Sequence, residues 1–273
     1  MKFHLRLWPL AFLLVVFAAC SDIEEAYEVL PVTQPPSKES NSIIWKWTEL
    51  YLDIERDLPG FRPAPTCRAL GYIHMGGYET VVPAMEHYRS LSNVIEEFQP
   101  PTLIYQLDKI NWPIALNAYY ARVHRFFLFN ATTSQVFKIN SLEAENLAEL
   151  SVNVAGGIVE TSISWGQSVA DAIIAYAETD KEGSDQSRIA IPSNYFPPVG
   201  DGLWVPTGPD NTRAMFPYWG KVRTFAAKNN DLVSIPPVYQ YSTDPSSGYY
   251  KEFLEVENTF TNMTEEKHWI ADF

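Results

Sequence analysis

The segment "INWPIALNAYYARVHRFFLF", residues 110 to 129, constrains the chain more than any other, because from Ile114 to Phe129 it is apolar or aromatic nearly all round a helical turn. A helix without a polar face has no surface to sit on, so it must run through the middle of other helices. It begins either before Leu107 or at Trp112-Pro113, since proline fits a first helical turn. The neighbours that could bury it are present. In "NSIIWKWTELYLDIERDLPGF", Ile43, Trp47, Leu50, Ile54 and Leu58 recur at three and four residues with Ile44 and Tyr51 beside them, while Lys46, Glu49, Asp53 and Arg56 take the other face. Asn41 or Ser42 should cap this helix and Pro59-Gly60 should stop it. "RPAPTCRALGYIHMGGYETVVPAM" restarts a helix with Thr66 as cap, and its Gly71, Gly76 and Gly77 ask for a close helix approach, since each costs about 1 kcal/mol relative to alanine. Two more helices are expected over 141–155 and 161–179, the second striped by Trp165, Val169, Ile173 and Tyr176 or Ala177, with "KEGSDQS" ending it. No run alternates as a half-buried strand would. The fold class is therefore all-α, a helical bundle with long loops rich in proline and aromatics.

From Ile191 to Gly248 proline, glycine, serine and asparagine accumulate together with Phe196, Trp204, Phe216, Tyr218, Trp219 and Phe225. Disordered segments are poor in aromatics, so this region should wrap the helices, with Trp204, Pro217 and Trp219 lying over them. Lys221 and Arg223 flank Val222 and are candidate cations at the border of a site; the plainer reading pairs them with carboxylates. A short helix follows near Tyr249 to Val256. In "TEEKHWIADF" Thr264 caps a last helix with Glu265 and Glu266 in its first turn and Trp269, Ile270 and Phe273 on an apolar side, and the chain reads as cut within that helix.

Lys2 and Arg6 precede an apolar run from Leu7 to Ala19 that is short for a bilayer span, which reads as a secretory signal over 1–19. "VFAAC" resembles the lipobox of bacterial lipoproteins, which implies that Cys20 is acylated and that the mature chain is exported and held at the outer membrane, on its periplasmic or surface face. Phe17 stands where that pattern usually has leucine. The acidic "SDIEE" that follows is similar to the tether of surface lipoproteins, and residues 20–41 read as that tether. Only Cys67 then remains, so no intramolecular disulfide and no cysteine metal site can form, and Cys67 should be a buried thiol. The formal charge of −13 excludes nucleic acid as a partner class.

Several stretches taken in order, "LDIERDLPGFRPAPTCRALGYIHMGGYETVVPAMEHYRSL", "INWPIALNAYYARVHRFF", "SWGQSVADAIIAYAETD", "GLWVPT" with "PYWGKVRTF", and "EEKHWIADF", resemble the amino-terminal part of the vanadium-dependent haloperoxidases, relatives of the type 2 phosphatidic-acid phosphatases. The resemblance spans 42–273. It implies a helical body and, in a complete member, a vanadate or phosphate site built from Lys-x6-Arg-Pro, Pro-Ser-Gly-His and an arginine followed by histidine. Those motifs are not here. Arg62-Pro63 has Glu55 in the lysine position, and "PSSGYY" puts Tyr249 where the histidine belongs. The expectation is therefore an amino-terminal half without catalytic, cofactor-binding or metal residues, inactive alone, with vanadate bound only in the complete protein. Its partners would be the membrane through Cys20 and a carboxy-terminal half or further copies of itself.

Among single residues, His74 and His124 read as core or helix-end groups, His87 and His268 as surface groups, and His4 belongs to the signal. Glu79, Glu86, Asp53 and Glu55 read as a solvated acidic face without a paired geometry for hydrolysis. A rival reading makes the chain a helical surface lipoprotein that binds glycans or protein partners, with Trp204, Tyr218 and Trp219 stacking on sugars.

Overall fold

The structure, a computed structural model, describes residues 33–59, 62–207, 213–227 and 236–272. Cys20, the signal segment and Phe273 lie outside the described residues. Among those described there are eight α-helices and no strand: α1 (Ser42–Arg56), α2 (Pro63–Val81), α3 (Trp112–Phe127), α4 (Thr133–Leu150), α5 (Gly156–Thr179), α6 (Lys181–Arg188), α7 (Gly248–Thr261) and α8 (Glu265–Asp272). The class is all-α, as the periodicity requires.

Helix α3 is the axis of the molecule, with thirteen of its sixteen residues buried. It packs against α1, α2, α4 and α5, and its longest seam is with α5. It takes the later of the two possible starts. The Asn111 side-chain oxygen accepts the Ile114 amide at 3.1 Å, Pro113 fills the first turn, and the Asn111 amide donates to Ser162 Oγ of α5 at 2.8 Å. Leu107–Lys109 forms a separate single turn. Arg122 and Arg125 are the exposed residues of α3, the first turned toward Asp171 and the second toward Asn140 and Glu143, and Phe126 is half-buried.

Close approach explains the glycines. A methyl group on Gly76 would strike the Tyr119 hydroxyl and Ile173, so α2, α3 and α5 meet there, and Tyr119 donates to Ile73 O at 2.8 Å. Gly166 of α5 lies against the backbone carbonyl of Ala115, which cannot move aside as a side chain could. At the other side of α3, Asn117 satisfies its buried amide through three bonds to two helices, α1 and α4. Its oxygen accepts from Trp47 Nε1 of α1 and Asn146 Nδ2 of α4, each at 3.0 Å, and its nitrogen donates to Glu143 O at 2.9 Å.

Several boundaries differ from those the sequence suggests, each for a local reason. The side chain of Asn41 does not cap α1; the Ser42 amide donates to Ser40 Oγ instead. Helix α2 begins at Pro63, three residues before Thr66, because proline is pre-organised for the first turn; the Thr66 hydroxyl donates to Glu55. Helix α4 begins at Thr133 rather than 141, fixed by a capping box in which Thr132 and Gln135 satisfy each other's amides. Helix α5 starts five residues early, at Gly156. Helix α5 ends at Thr179 as expected, but "KEGSDQSR" after it is itself a helix, α6, capped by Asp180. Helix α7 runs on to Thr261 from a Ser247 cap.

Of the wrap expected over 191–248, the described residues that pack on the helices are those of about 216–225. Val222 is buried, and the Phe225 ring meets Tyr72 at 4.9 Å between centroids. By contrast Phe196, Val199 and Trp204 are exposed, so Trp204 does not cover the helices. Cys67 is exposed as well, because Pro65, Arg68, Ala69 and Tyr72 occupy the inward stripe of α2. The buried thiol expected from the cysteine count is not found.

Candidate functional site

Among the described residues the most deeply buried ion pair lies where α2, the end of α5, α6 and the 216–227 segment meet. Asp180 is its centre. One carboxylate oxygen accepts from Arg68 Nε at 2.7 Å, and the other accepts the Gly183 amide at 3.3 Å and the Arg223 amide at 3.1 Å. Both members of the Arg68–Asp180 pair are almost fully buried, and Arg68 also donates to Ala177 O at 2.7 Å. A pair this dry persists only with further hydrogen bonds to its charged groups, which the Ala177 carbonyl and the Gly183 and Arg223 amides supply here. Gly183 leaves no room for a side chain beside Asp180 and Arg68.

Arg223, one of the two cations singled out from the sequence, is drawn into this cluster. Its guanidinium donates to Tyr176 O and Thr179 Oγ1, each at 2.7 Å, and to the Tyr72 hydroxyl at 3.3 Å, lies over the Tyr176 ring, and stands 3.8 Å from Glu97. Both terminal nitrogens of its guanidinium are thus engaged by the protein. Burial pushes the Tyr72 hydroxyl pKa up, so Tyr72 stays a neutral partner. Lys221 is exposed and reaches over the Tyr218 ring at 5.4 Å. The two cations therefore do not converge on a common anion.

Next to this cluster a second buried pair joins Arg62 to Glu55, at 2.8 and 3.1 Å, with Thr66 donating to the same carboxylate. A cavity of about 20 Å³, room for one water, lies among Arg62, Arg68, Phe127, Ser184, Ser187 and Arg188. Glu55 is thus not part of a solvated face. Nor is Glu79, which is buried and accepts the Leu91 amide at 2.6 Å; burial pushes its carboxyl pKa up. Asp53 does stay at the surface, bridging Arg56 and Lys138, and Glu86 is exposed. The four carboxylates hold different partners and form no acid–base pair.

His124 is wholly buried between Trp47, Tyr51 and Tyr120, with Nε2 donating to Trp47 O at 2.9 Å. Burial drives its pKa down to about 4, which keeps the imidazole neutral. It is a core histidine, as its position on α3 suggests. His87 is exposed, and so are His74 and His268. Among the described residues no group of three or more histidine, cysteine, aspartate and glutamate side chains could hold a metal ion. A surface depression of about 730 Å³ is lined by Tyr195, Leu203, Trp204, Arg213, Met215 and Phe216, among others. Of the three aromatics proposed to stack on sugars only Trp204 lines it, for Tyr218 packs edge-on to Tyr195 and Trp219 edge-on to Phe216.

No family model matches the sequence, and no curated protein is detectably similar to it. Among solved structures, the crystal structure of a bacterial vanadium-dependent iodoperoxidase matches with a TM-score of 0.65 at 22% identity, over 82% of this chain and 51% of the other. The fold is haloperoxidase-like. This chain spans about half the length of that solved structure.

The haloperoxidase-like body does not fit a vanadate ion at the places where its sequence comes nearest to the expected ligands. At Arg62-Pro63, the guanidinium is neutralised by Glu55, a carboxylate that would repel an oxyanion. At "PSSGYY", the Ser246 amide and hydroxyl both donate to Asp244, at 2.8 and 2.9 Å, and Ser247 is committed to capping α7 through the Tyr250 amide at 3.1 Å. Those bonds hold the Asp244 carboxyl below its usual pKa range, so the turn is anionic. An oxyanion needs free donors and cations, and each near-motif offers a carboxylate already in place. Sequence reasoning missed Asp180 and Arg68. The usable signal was Asp180 three residues before Gly183 at the end of an apolar stripe, where one residue ends α5 and caps α6.

Proposed function

We propose that this chain is the helical scaffold of an exported, lipid-anchored haloperoxidase-like protein, and that its oxyanion chemistry is completed by residues it does not itself supply. In that reading the assembled protein uses vanadate and peroxide to oxidise halide, or hydrolyses phosphate esters, and this chain alone does neither. The observation that carries the reading is the match of most of this chain to half of an iodoperoxidase, joined to a body in which Arg62 and Arg68 are already matched by Glu55 and Asp180. Export and anchoring rest on Lys2, Arg6, the run to Ala19, and Cys20.

The test has two arms. Purified chain is supplied with vanadate, peroxide and iodide, and separately with a phosphate ester; no turnover is expected, and turnover in either would overturn the scaffold reading. The DNA following the codon for Phe273 is then sequenced. A frame, intact or shifted, that encodes Pro-Ser-Gly-His and an arginine–histidine motif supports the reading, and a stop without those motifs nearby removes it. For the anchor, Cys20→Ser should release the protein from the membrane fraction.

A further inference from the structure

Helix α7 stands apart from the body. None of its fourteen residues is buried. It is tied down at its amino end, where Gly248 meets Tyr239 and the Tyr241 ring packs 5.3 Å from Tyr249. Isolated helices of this length are marginal in water, so a stable α7 calls for a covering surface. Its sequence states what kind. Tyr249, Phe253, Val256 and Phe260 follow at intervals of four, three and four, which places them in one stripe with the spacing of a helix-pairing seam, and Phe253, Val256 and Phe260 are 57, 70 and 74% exposed. Glu252 borders the stripe on one side and Glu257 on the other, both exposed. The opposite face, with Leu254, Asn258 and Asn262, lines a groove that Lys267 of α8 closes, so α8 sits behind α7 and leaves the seam open.

We propose that this seam docks an amphipathic helix of a partner whose apolar stripe is bordered by lysine or arginine. The two bordering glutamates argue against a second copy of this chain and against an anionic lipid surface. A second copy of this chain, paired seam to seam, would set Glu252 and Glu257 against the same acids, and an anionic lipid surface would meet the same repulsion. A basic border turns each of those contacts into an attraction. The inference goes beyond the proposed function and does not depend on it, since it needs only the stripe and its borders and holds whatever reaction the assembled protein performs.

The test uses the full chain and two synthetic helical peptides with the same leucine stripe, one bordered by lysine and the other by glutamate, followed by fluorescence anisotropy at low and high salt. The lysine peptide should bind about tenfold more tightly at low salt, from two added exposed ion pairs, with the advantage falling as salt rises. Glu252→Lys with Glu257→Lys should reverse the preference, and Phe253→Asp should abolish binding of both peptides. Because α7 buries no residue, these variants should keep the circular dichroism and melting temperature of the parent, which separates a lost surface from a lost fold. Equal affinity for the two peptides, no binding of either, or binding that survives Phe253→Asp would each overturn the proposal.

Discussion

Helices α3 and α7 invite comparison, because both carry aromatic and aliphatic residues at helical spacing and their surroundings could hardly differ more. In α3 nearly every residue is enclosed by four other helices, whereas in α7 no residue is buried. The stripe makes each segment a helix; what lies beside it decides whether the stripe contributes stability. A buried aromatic or aliphatic side chain contributes roughly 1.5–3 kcal/mol, and an exposed one contributes almost nothing. The body should therefore respond sharply to single changes and the α7–α8 end should be indifferent to them.

The sharpest break is expected at Asp180. Asp180→Ala strands Arg68 as a buried, uncompensated cation and should cost about 4 kcal/mol in urea unfolding. A loss below about 1 kcal/mol would mean that the pair is open to water and that the contrast between body and end is shallower than drawn. The next effect is a pH dependence. His124 is neutral when folded, with its pKa driven down to about 4, while an exposed histidine titrates near 6.5. The unfolded chain therefore binds the proton first, and stability that is complete above about pH 6.5 should fall by about 3 kcal/mol as pH drops to about 4. His124→Gln, which can still donate to Trp47 O, should flatten that part of the profile, and an unchanged slope would assign the loss to other groups.

Smaller again is Gly166→Ala, expected to cost about 2 kcal/mol because the added methyl meets the rigid Ala115 carbonyl at the α3–α5 crossing. Smallest is the pair Phe253→Ser with Phe260→Ser on α7, which should change global stability by less than about 0.5 kcal/mol. A drop of 2 kcal/mol there would show that α7 folds as part of the body.

Much of the body was legible in the sequence because its stripes are long and regular. The Ile43–Leu58 repeat, the all-round α3 and the Trp165–Ala177 stripe were each enough to name a helix, and Gly76 foretold a close crossing. The start of α4 was not legible, since Ile139 is the one residue of its first half that is buried and the Thr132–Gln135 box holds it in place of packing. Burial itself was harder to read than helicity. Trp204 and Cys67 belong to residue types that are usually inside, yet both lie at the surface; Glu55 and Glu79 are usually outside, yet both are enclosed with their own hydrogen-bond donors. The candidate cations show the same limit. Nothing in the spacing of Lys221 and Arg223 says that one would lock onto Tyr176 and Thr179 while the other stays free of the cluster.

The three bonds accepted by Asp180 also couple motions that are far apart in the chain. The Gly183 amide starts α6, the Arg223 amide anchors the wrapping segment, and the Arg68 side chain belongs to α2, so none of these can swing outward while the carboxylate holds the other two. Deuterium should therefore enter the amides of Gly183 and Arg223 at a shared rate, set by one opening event that lifts α6 and the wrap together, whereas the amides in the middle of α7 should exchange on their own, far sooner.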